Sequence, residues 1–363
     1  METYLNALLT QMNRLGASDL FLSTNRKPAF RIQGRIANSD GQALTANHMQ
    51  SLCTQLLDSK RQIIFNQQLD THACINNAEN GRFRISFFHH HDGPGMVIRA
   101  IRHPVPSPEQ LGLPEDLKRV ILQKRGLVLF TGPAGSGKST SMAAMLQFRN
   151  QNDASHIITL EEPVEYILPQ GKSIINQREI GPQALSYESA LENALRQSPD
   201  VLCIGEARNA NIIEQALYFA DTGHLITTTL HATGAAQALE RILQQFPHDK
   251  RENVQQMLAR QLHAIVAQQL VPAKDGKLVA AFEVLTGTPL VQDLVARGNF
   301  QGLGDTMQKG AQSGMQTMDQ SLYNLYRSGR IDAETALEFA HSYRDMRLRI
   351  RLQAPDPAET TVA

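Results

Sequence analysis

Hydrophobic and polar positions in the first hundred residues follow two different periods. Residues 5–12 carry leucine and methionine at the spacing of one helix face. Residues 83–87 alternate between large apolar and polar side chains, as is typical of a half-exposed strand. Because helical and strand-like stretches alternate here and are short, the pattern predicts an α+β domain over residues 1–102.

A proline-rich segment follows this first region. Three prolines stand within five positions, at Pro104, Pro106 and Pro108. Since proline fixes φ and has no backbone N–H, such a segment continues neither a helix nor a central strand. We therefore predict a semi-rigid linker over residues 103–114, with the domain boundary inside it.

Beyond the linker, apolar strands alternate with helical segments over residues 115–288. The candidate strands are residues 127–130, 156–160, 201–204 and 225–229. This alternation predicts parallel strands joined by crossover helices, and hence an α/β core. A more polar helical region is predicted over residues 289–353, with a glycine-rich loop at 302–314. Residues 354–363 have the composition of a disordered tail.

A glycine-rich motif follows the first of these strands. It reads Gly132-Pro133-Ala134-Gly135-Ser136-Gly137-Lys138-Ser139, followed by Thr140. The motif fits a P-loop, in which glycines let backbone N–H groups point at phosphate oxygens and the next helix adds its positive N-terminal end. We expect the segment from 132 to 140 to bind ATP, with Lys138 at the β- and γ-phosphates and Ser139 at Mg²⁺.

Carboxylates follow two of the other predicted strands. Glu161, Glu162 and Glu165 come after residues 156–160, and Glu206 comes after residues 201–204. The carboxyl ends of parallel strands face the ligand crevice, where a carboxylate orients attacking water or holds Mg²⁺. We expect Glu206 to be a metal ligand. For any one of the first three carboxylates, a solvated acidic turn is an equally good interpretation.

Two histidines stand on either side of the strand at 225–229. His231, beyond its carboxyl end, is a candidate sensor of the γ-phosphate, and His224 precedes the strand. A lone histidine is more often a structural residue, so that interpretation stays open.

Composition and charge exclude several classes of protein. Lys and Arg number 35, as do Asp and Glu. The resulting net charge of zero argues against binding of nucleic acid by the whole protein. The three cysteines are too few and too scattered for a disulfide framework or a zinc site, which fits a reducing cytosol. No apolar run approaches the roughly 20 residues of a membrane helix, and no signal peptide is indicated. We expect a cytoplasmic protein without direct membrane insertion.

Taken together and in this order, the motifs resemble those of the secretion ATPases of the type II/type IV superfamily. Within it, the chain is most similar to the PilT/PilU-type type IV pilus retraction ATPases. The motifs correspond to the family's Walker A, Asp box, Walker B and His box. The resemblance implies a PAS-like N-terminal domain followed by a RecA-like P-loop ATPase domain, with the nucleotide between them. It also implies that Glu165 is the catalytic glutamate and Glu206 the Walker B acid.

The resemblance further implies a homohexameric motor that hydrolyses ATP and retracts type IV pili during twitching motility. Its expected partner is an integral membrane platform protein, which would hold the motor at the inner membrane. Such rings need arginines near the phosphates, because developing charge is stabilised by guanidinium. Arg84, Arg99 and Arg241 are the candidates, although surface or ion-pair arginines are an equally good interpretation.

Several details are more similar to PilU than to PilT. Residues 289–297 lack the retraction motif of PilT, and Gln255 stands where PilT carries an arginine. Residues 196–200, and residues 230–232 followed by 237–242, look more like PilU. These details imply an accessory motor acting with a PilT-type motor ATPase. The Asp box departs from the family as a whole, because it reads Glu161-Glu162 instead of Glu-Asp, which gives Glu162 a longer reach. A nucleotide-binding scaffold with little turnover is the alternative. A RecA-like nucleic-acid translocase is a third interpretation, disfavoured by the zero net charge.

Overall fold

A computed structural model describes residues 2–32, 34–77, 79–101 and 104–352. The chain divides into two compact units, one ending at Pro104 and one beginning at Val105. Each unit has its own buried apolar cluster. Residues 102 and 103, at the predicted domain boundary, and the predicted tail at 354–363 lie outside the described residues.

The N-terminal unit is built on one six-stranded antiparallel sheet with the strand order β3-β2-β1-β6-β5-β4. Phe83, Ile85 and Phe87 are buried, which confirms the alternating pattern predicted there. Leu9 and Met12 are fully buried on the predicted helix face. Its elements are α1 (Glu2–Arg14), β1 (Asp19–Ser23), β2 (Ala29–Ile32), β3 (Arg35–Asn38), α2 (Ala46–Leu56), α3 (Ser59–Gln68), β4 (Asp70–Asn77), β5 (Gly81–His90) and β6 (Gly93–Ile101).

The second unit is built on a seven-stranded sheet with the strand order β13-β12-β7-β11-β10-β8-β9. All neighbours pair in parallel except β12 and β13. The elements that form the sheet and cover it are α4 (Pro108–Leu111), α5 (Asp116–Ile121), β7 (Gly126–Thr131), α6 (Lys138–Asn152), β8 (His156–Glu161), β9 (Ile174–Glu179), α7 (Tyr187–Ala194), a 3-10 turn (Leu195–Gln197), β10 (Val201–Ile204), α8 (Ala210–Asp221), β11 (Leu225–Leu230), α9 (Ala235–Gln244), α10 (His248–Gln261), β12 (Leu262–Pro272) and β13 (Leu278–Thr286). The four strands predicted from the sequence are confirmed as β7, β8, β10 and β11.

The central strand β7 is buried at every position. Leu127 and Leu129 join the apolar cluster on one face of the sheet, while Val128 and Phe130 join the cluster on the other face. A parallel sheet covered on both faces requires such continuously apolar strands. The carboxyl ends of β7, β8, β10 and β11 therefore meet at one edge, and the loops that follow them carry the predicted motifs.

The region after β13 is helical. It comprises α11 (Pro289–Ala296), α12 (Gly302–Lys309), a 3-10 turn (Ala311–Ser313), α13 (Met318–Arg327), α14 (Ala333–Phe339) and α15 (Tyr343–Leu352). The prediction of a loop over residues 302–314 is wrong, because most of this stretch forms α12. Leu303 and Met307, four residues apart on this helix, are buried. Their burial outweighs the low helix propensity of glycine. None of the helices in the described ranges combines the length and apolarity needed to cross a bilayer.

The segment predicted as a linker contains the short helix α4. The Ser107 side chain accepts the backbone N–H of Gln110, and the Gln110 side chain accepts the backbone N–H of Ser107. This capping box, with Pro108 in the first turn, starts a helix in a stretch that its prolines alone predicted to be irregular.

Candidate functional site

The segment between β7 and α6 is a tight loop with glycines in the left-handed region. The φ angles are 151° at Gly132, 78° at Gly135 and 88° at Gly137. A Cβ added at Gly132 would lie 2.4 Å from the backbone oxygen of Gln268, and one at Gly137 would lie 2.8 Å from its Nε2. Both conformation and space therefore require glycine at these two positions.

Lys138 begins α6, and its side chain turns back over the loop. Its Nζ donates hydrogen bonds of 2.9 Å to the backbone oxygens of Gly132 and Pro133. The residue is only 8% exposed. Burial lowers the pKa of the Lys138 ammonium, while the carboxylates of Glu206 and Glu165 act in the opposite direction. The loop thus holds a buried cation against its own backbone.

Hydroxyl side chains fill the rest of the loop. The Ser136 hydroxyl is buried and has no hydrogen-bond partner among the described residues. Ser139 lines the pocket in front of the loop, and the Thr140 hydroxyl shares a 2.9 Å hydrogen bond with the hydroxyl of Tyr166. A phosphate oxygen at the N-terminus of the helix can accept the hydrogen of such a hydroxyl. The loop therefore fits the phosphates of a nucleotide.

A pocket opens between this loop and the carboxyl edge of the sheet. The structure brings Glu165, Glu206 and His231 together there with Lys138 and Ser139. Lys138 and Ser139 begin α6, directly after the loop that follows β7, and the other three residues come from the loops after β8, β10 and β11. The negatively charged side chains of its lining are Glu161, Glu162, Glu165 and Glu206, and the positively charged ones are Lys138 and Arg208.

Glu206 has a firmly anchored backbone and two side-chain partners. The N–H groups of Gly205 and Ala207 donate to backbone oxygens of β8 and β11, at 2.7 and 3.0 Å. Oε1 of Glu206 lies 3.0 Å from Nε2 of His231. Oε2 accepts a 2.7 Å hydrogen bond from Nε of Arg208. The Glu206 carboxylate is therefore held in place at the pocket, where its negative charge can bind a cation.

The three carboxylates at and after the end of β8 have different surroundings. Glu161 accepts hydrogen bonds of 2.6 and 3.2 Å from side chains of β8 and β9. Burial raises the pKa of Glu161, and these hydrogen bonds act against that rise. Glu162 accepts a 2.5 Å hydrogen bond from Nη1 of Arg208. Glu165 is exposed at the pocket, where a carboxylate can meet a water molecule.

The three candidate arginines fall in both units. Arg241 lies in the last turn of α9 and donates to the backbone oxygen of His231, so it braces the loop that carries this histidine. Arg84 and Arg99 belong to the N-terminal unit, where they are cross-strand partners on β5 and β6. Arg99 also donates a 2.8 Å hydrogen bond to the buried carboxylate of Asp19.

The second histidine of the predicted His box lies elsewhere. His224 stands at the amino end of β11, with its Nδ1 3.0 Å from the backbone oxygen of Phe219 and 3.2 Å from the hydroxyl of Thr222. The sequence motif therefore contains one pocket residue and one residue of the opposite sheet edge.

Sequence reasoning missed Arg208, Tyr187 and Gln268. Arg208 follows Glu206 by two residues, and an arginine so close to a predicted metal ligand was a usable signal. The Tyr187 ring lies 5.9 Å from the Arg208 guanidinium, and the Gln268 side chain accepts a 2.7 Å hydrogen bond from Ser141 at the start of α6. Only the fold brings these last two residues to the site.

Comparisons with known proteins agree with this geometry. A family model described as "Type II/IV secretion system protein" matches residues 1–323. The chain is 43% identical to the type IV pilus ATPase PilU of Pseudomonas aeruginosa, over 97% of this chain and 92% of that protein. It is 37% identical to PilT, the type IV pilus retraction ATPase of the same organism, over 92% of this chain and 97% of that protein.

A solved structure has the same mixed α/β fold. It is the pilus retraction motor PilT with bound ADP, which is 35% identical and superimposes with a TM-score of 0.88. The match covers 94% of this chain and 98% of the PilT chain. The chain therefore belongs to the type II/IV secretion system protein family and, within it, to the nucleotide-binding ATPases of the PilT and PilU kind.

Proposed function

We propose that this protein is an ATP-hydrolysing motor subunit for type IV pilus retraction that acts with a PilT-type motor. The observation that carries the proposal is the pocket in which Lys138, Glu165, Glu206 and His231 converge. A phosphate-binding lysine, a solvent-exposed carboxylate and an anchored acidic residue are the groups that ATP hydrolysis requires. The similarity to PilU and PilT supports pilus retraction as the work that hydrolysis drives.

The domain assignment is part of this proposal. We infer a PAS-like N-terminal domain over residues 1–102, a linker over 103–114, a RecA-like domain over 115–288 and a helical region over 289–353. The order of the parallel strands, with β11 between the P-loop strand β7 and the strand β10 that precedes Glu206, supports a RecA-like domain. The antiparallel sheet with its own core supports a separate α+β domain.

The residues present fit Mg²⁺ bound together with ATP. Among the described residues, no group of three or more His, Cys, Asp or Glu side chains could hold a metal ion alone. Mg²⁺ in nucleotide sites takes one or two protein ligands together with phosphate oxygens. Ser139 and Glu206 are the proposed ligands, and the bound ion would neutralise charge on the phosphates. Lys138 then binds the β- and γ-phosphates, and Glu165 orients the attacking water.

The charge of the pocket supports the use of further cations. Its lining carries four carboxylates against two positively charged side chains. Charge that develops on the transferred phosphoryl group needs stabilisation that such a lining cannot supply alone. We infer that Arg84 and Arg99 supply positive charge to the phosphates in a homohexameric ring, and that Arg241 supports the His231 loop.

Motor action would follow from differential contacts. ATP and ADP would favour different placements of one subunit's N-terminal domain on the next subunit's ATPase domain. Successive closures around the ring would act on an integral membrane platform protein of the pilus machine. The protein would then be cytoplasmic and peripheral to the inner membrane, without direct insertion and without binding nucleic acid.

Steady-state ATP hydrolysis against protein concentration tests the proposal. We expect turnover per subunit to rise as the hexamer forms and to fall at least about 100-fold in Lys138→Ala. The control is Lys124→Ala, because Lys124 is exposed just before β7, at the other end of the P-loop strand. Full turnover in Lys138→Ala, or equal turnover in monomer and hexamer, would contradict the proposal.

A nucleotide-binding accessory scaffold is the second candidate function. The Arg208 hydrogen bond to Oε2 of Glu206 and the His231 ring nitrogen 3.0 Å from Oε1 favour it, since both compete with a metal ion at this carboxylate. Tight ATP binding with negligible turnover, together with restored pilus retraction when a PilT-type motor is present, would support this candidate.

A further inference from the structure

We propose that Arg208 is a resident counter-ion of the metal position, which competes with Mg²⁺ for Glu206 and is anchored by Glu162. This inference rests on the proposed function, because it concerns the same nucleotide site. Arg208 would thereby set the Mg²⁺ concentration at which the nucleotide binds.

The guanidinium of Arg208 bridges two carboxylates. Its Nε lies 2.7 Å from Oε2 of Glu206, and its Nη1 lies 2.5 Å from Oε2 of Glu162. The two hydrogen bonds use different nitrogens of one planar group, so the side chain is fixed in orientation as well as in distance. The ring of Tyr187 lies 5.9 Å from the guanidinium and adds a cation–π contact.

This bridge gives each oxygen of Glu206 a nitrogen neighbour. Oε2 accepts the hydrogen bond from Arg208, and Oε1 lies 3.0 Å from Nε2 of His231. Each oxygen keeps a further lone pair, but a metal ion that binds Oε2 would lie beside the positively charged guanidinium, and the two cations repel each other. Arg208 carries a permanent charge, whereas the histidine is charged only when protonated, so Arg208 is the stronger electrostatic competitor.

The backbone around Arg208 is held at both ends. Ala207 donates its N–H to a backbone oxygen of β11 at 3.0 Å. Asn209 caps α8, because its side chain accepts the N–H of Ile212 at 3.0 Å. The release of Glu206 therefore requires rotation of the Arg208 side chain, which is 46% exposed, rather than movement of the chain.

Glu162 supplies the anchor of the bridge. It lies in the loop after β8, where its Oε2 accepts the 2.5 Å hydrogen bond from Nη1 of Arg208. Because Glu162 holds Nη1, the guanidinium remains organised over Glu206 at little further entropic cost. Shortening this side chain loosens the competitor without changing the charge of the pocket.

Calorimetric titration of ADP into the full-length protein over a series of Mg²⁺ concentrations tests this inference. We expect Arg208→Ala to lower the Mg²⁺ midpoint for ADP binding about fivefold, the effect of removing one partly exposed ion pair. Glu162→Asp and Arg208→Lys should lower it by less, since each keeps the charge and loses the bridging geometry. The control Arg297→Ala, which removes an exposed ion pair with Asp293 at the end of α11, should leave it unchanged.

An unchanged or higher midpoint in Arg208→Ala would overturn the inference, because Arg208 would then assist the nucleotide instead of opposing the metal. A shift in Arg208→Ala with none in Arg208→Lys or Glu162→Asp would also overturn it, since the inference requires Glu162 to anchor the guanidinium over Glu206. If Arg208→Ala does not fold, as judged by its thermal unfolding, the other two variants still decide. Failure of the wild type to bind ADP at any Mg²⁺ concentration would instead defeat the proposed function.

Discussion

In the seven-stranded sheet, the edge where the parallel strands end (the carboxyl edge) and the edge where they begin (the amino edge) carry the same kinds of ionisable residue in different surroundings. At the carboxyl edge, Glu206 and His231 meet across a pocket. At the amino edge, Asp200 accepts the backbone N–H of His156 at 2.7 Å, and His224 lies 3.0 Å from a backbone oxygen at the end of α8. The position of a residue along its strand, more than its type, decides whether it can act on a ligand.

The cause of this difference lies in the backbone. Amino-edge side chains bond to main-chain groups a few residues away or on the next strand, so each is satisfied by the fold itself. Carboxyl-edge side chains bond mainly to one another, so a ligand can replace those contacts. Variants matched across the two edges turn this comparison into measurements.

The largest contrast is expected on β10, which has Asp200 before it and Glu206 after it. Glu206→Ala should lower ATP turnover at least about 100-fold with little loss of stability, because it removes the proposed metal ligand. Asp200→Ala should keep turnover and lose about 1 kcal/mol of unfolding free energy, the value of one hydrogen bond to a backbone N–H. Hydrolysis assays and urea unfolding measure both. Similar losses of turnover in the two variants would break the comparison.

A smaller contrast is expected on β11, between His231 and His224. His231→Ala should lower turnover about tenfold, because the pocket loses the proposed contact to the γ-phosphate. His224→Ala should leave turnover unchanged and lower the unfolding free energy by about 1 kcal/mol. Single-turnover hydrolysis and thermal unfolding separate the two effects. Equal turnover in both variants would remove His231 from the proposed machinery.

Much of this architecture could be predicted from the sequence, and the reason is physical. The strands β7, β8, β10 and β11 are short runs rich in apolar and β-branched residues, and a motif residue follows each of them, so their positions and motifs could be recognised. Strand β9 was missed because it is an outermost strand of the sheet and reads Ile-Ile-Asn-Gln-Arg-Glu, without regular alternation. Strand β12 begins with a shift of register between Leu262 and Ala264. That shift interrupts the period that a sequence pattern would show.

Some residues of the candidate site could likewise be predicted from the sequence, and others could not. Lys138, Glu165, Glu206 and His231 follow strand ends and could be predicted from that position. The bridge made by Arg208 could not, since it depends on side chains of two loops that only the sheet brings together. Sequence reasoning likewise gave no role to residues of β13, because the pairing of that strand was unknown.

The smallest expected effect concerns Glu283, a buried carboxylate of β13 that contacts the chain just beyond the His231 loop. It accepts the backbone N–H of Ala235 at 2.7 Å, at the start of α9. Burial raises the pKa of Glu283 above the ordinary value of 4.5. The folded state therefore holds this proton more tightly than the unfolded state. Stability from this group is complete below pH 4.5 and is lost as pH rises through the raised value.

Glu283→Gln removes that dependence while it keeps an acceptor for Ala235. We expect the unfolding free energy of the variant, relative to the wild type, to increase as pH rises from 4.5, in urea titrations at several pH values. Turnover at neutral pH should not change, which would mark Glu283 as a structural residue of the carboxyl edge. A difference that is constant with pH would contradict the assignment.

The packing of Gln268 against the P-loop glycines limits how this sequence can evolve. Its backbone oxygen would lie 2.4 Å from a Cβ at position 132, and its side chain would lie 2.8 Å from one at position 137. A smaller residue in place of Gln268 would relieve only the second clash, and the positive φ angles would remain. No single replacement elsewhere makes either glycine dispensable, so descendants of this chain can change the residues around the loop long before they can change the loop itself.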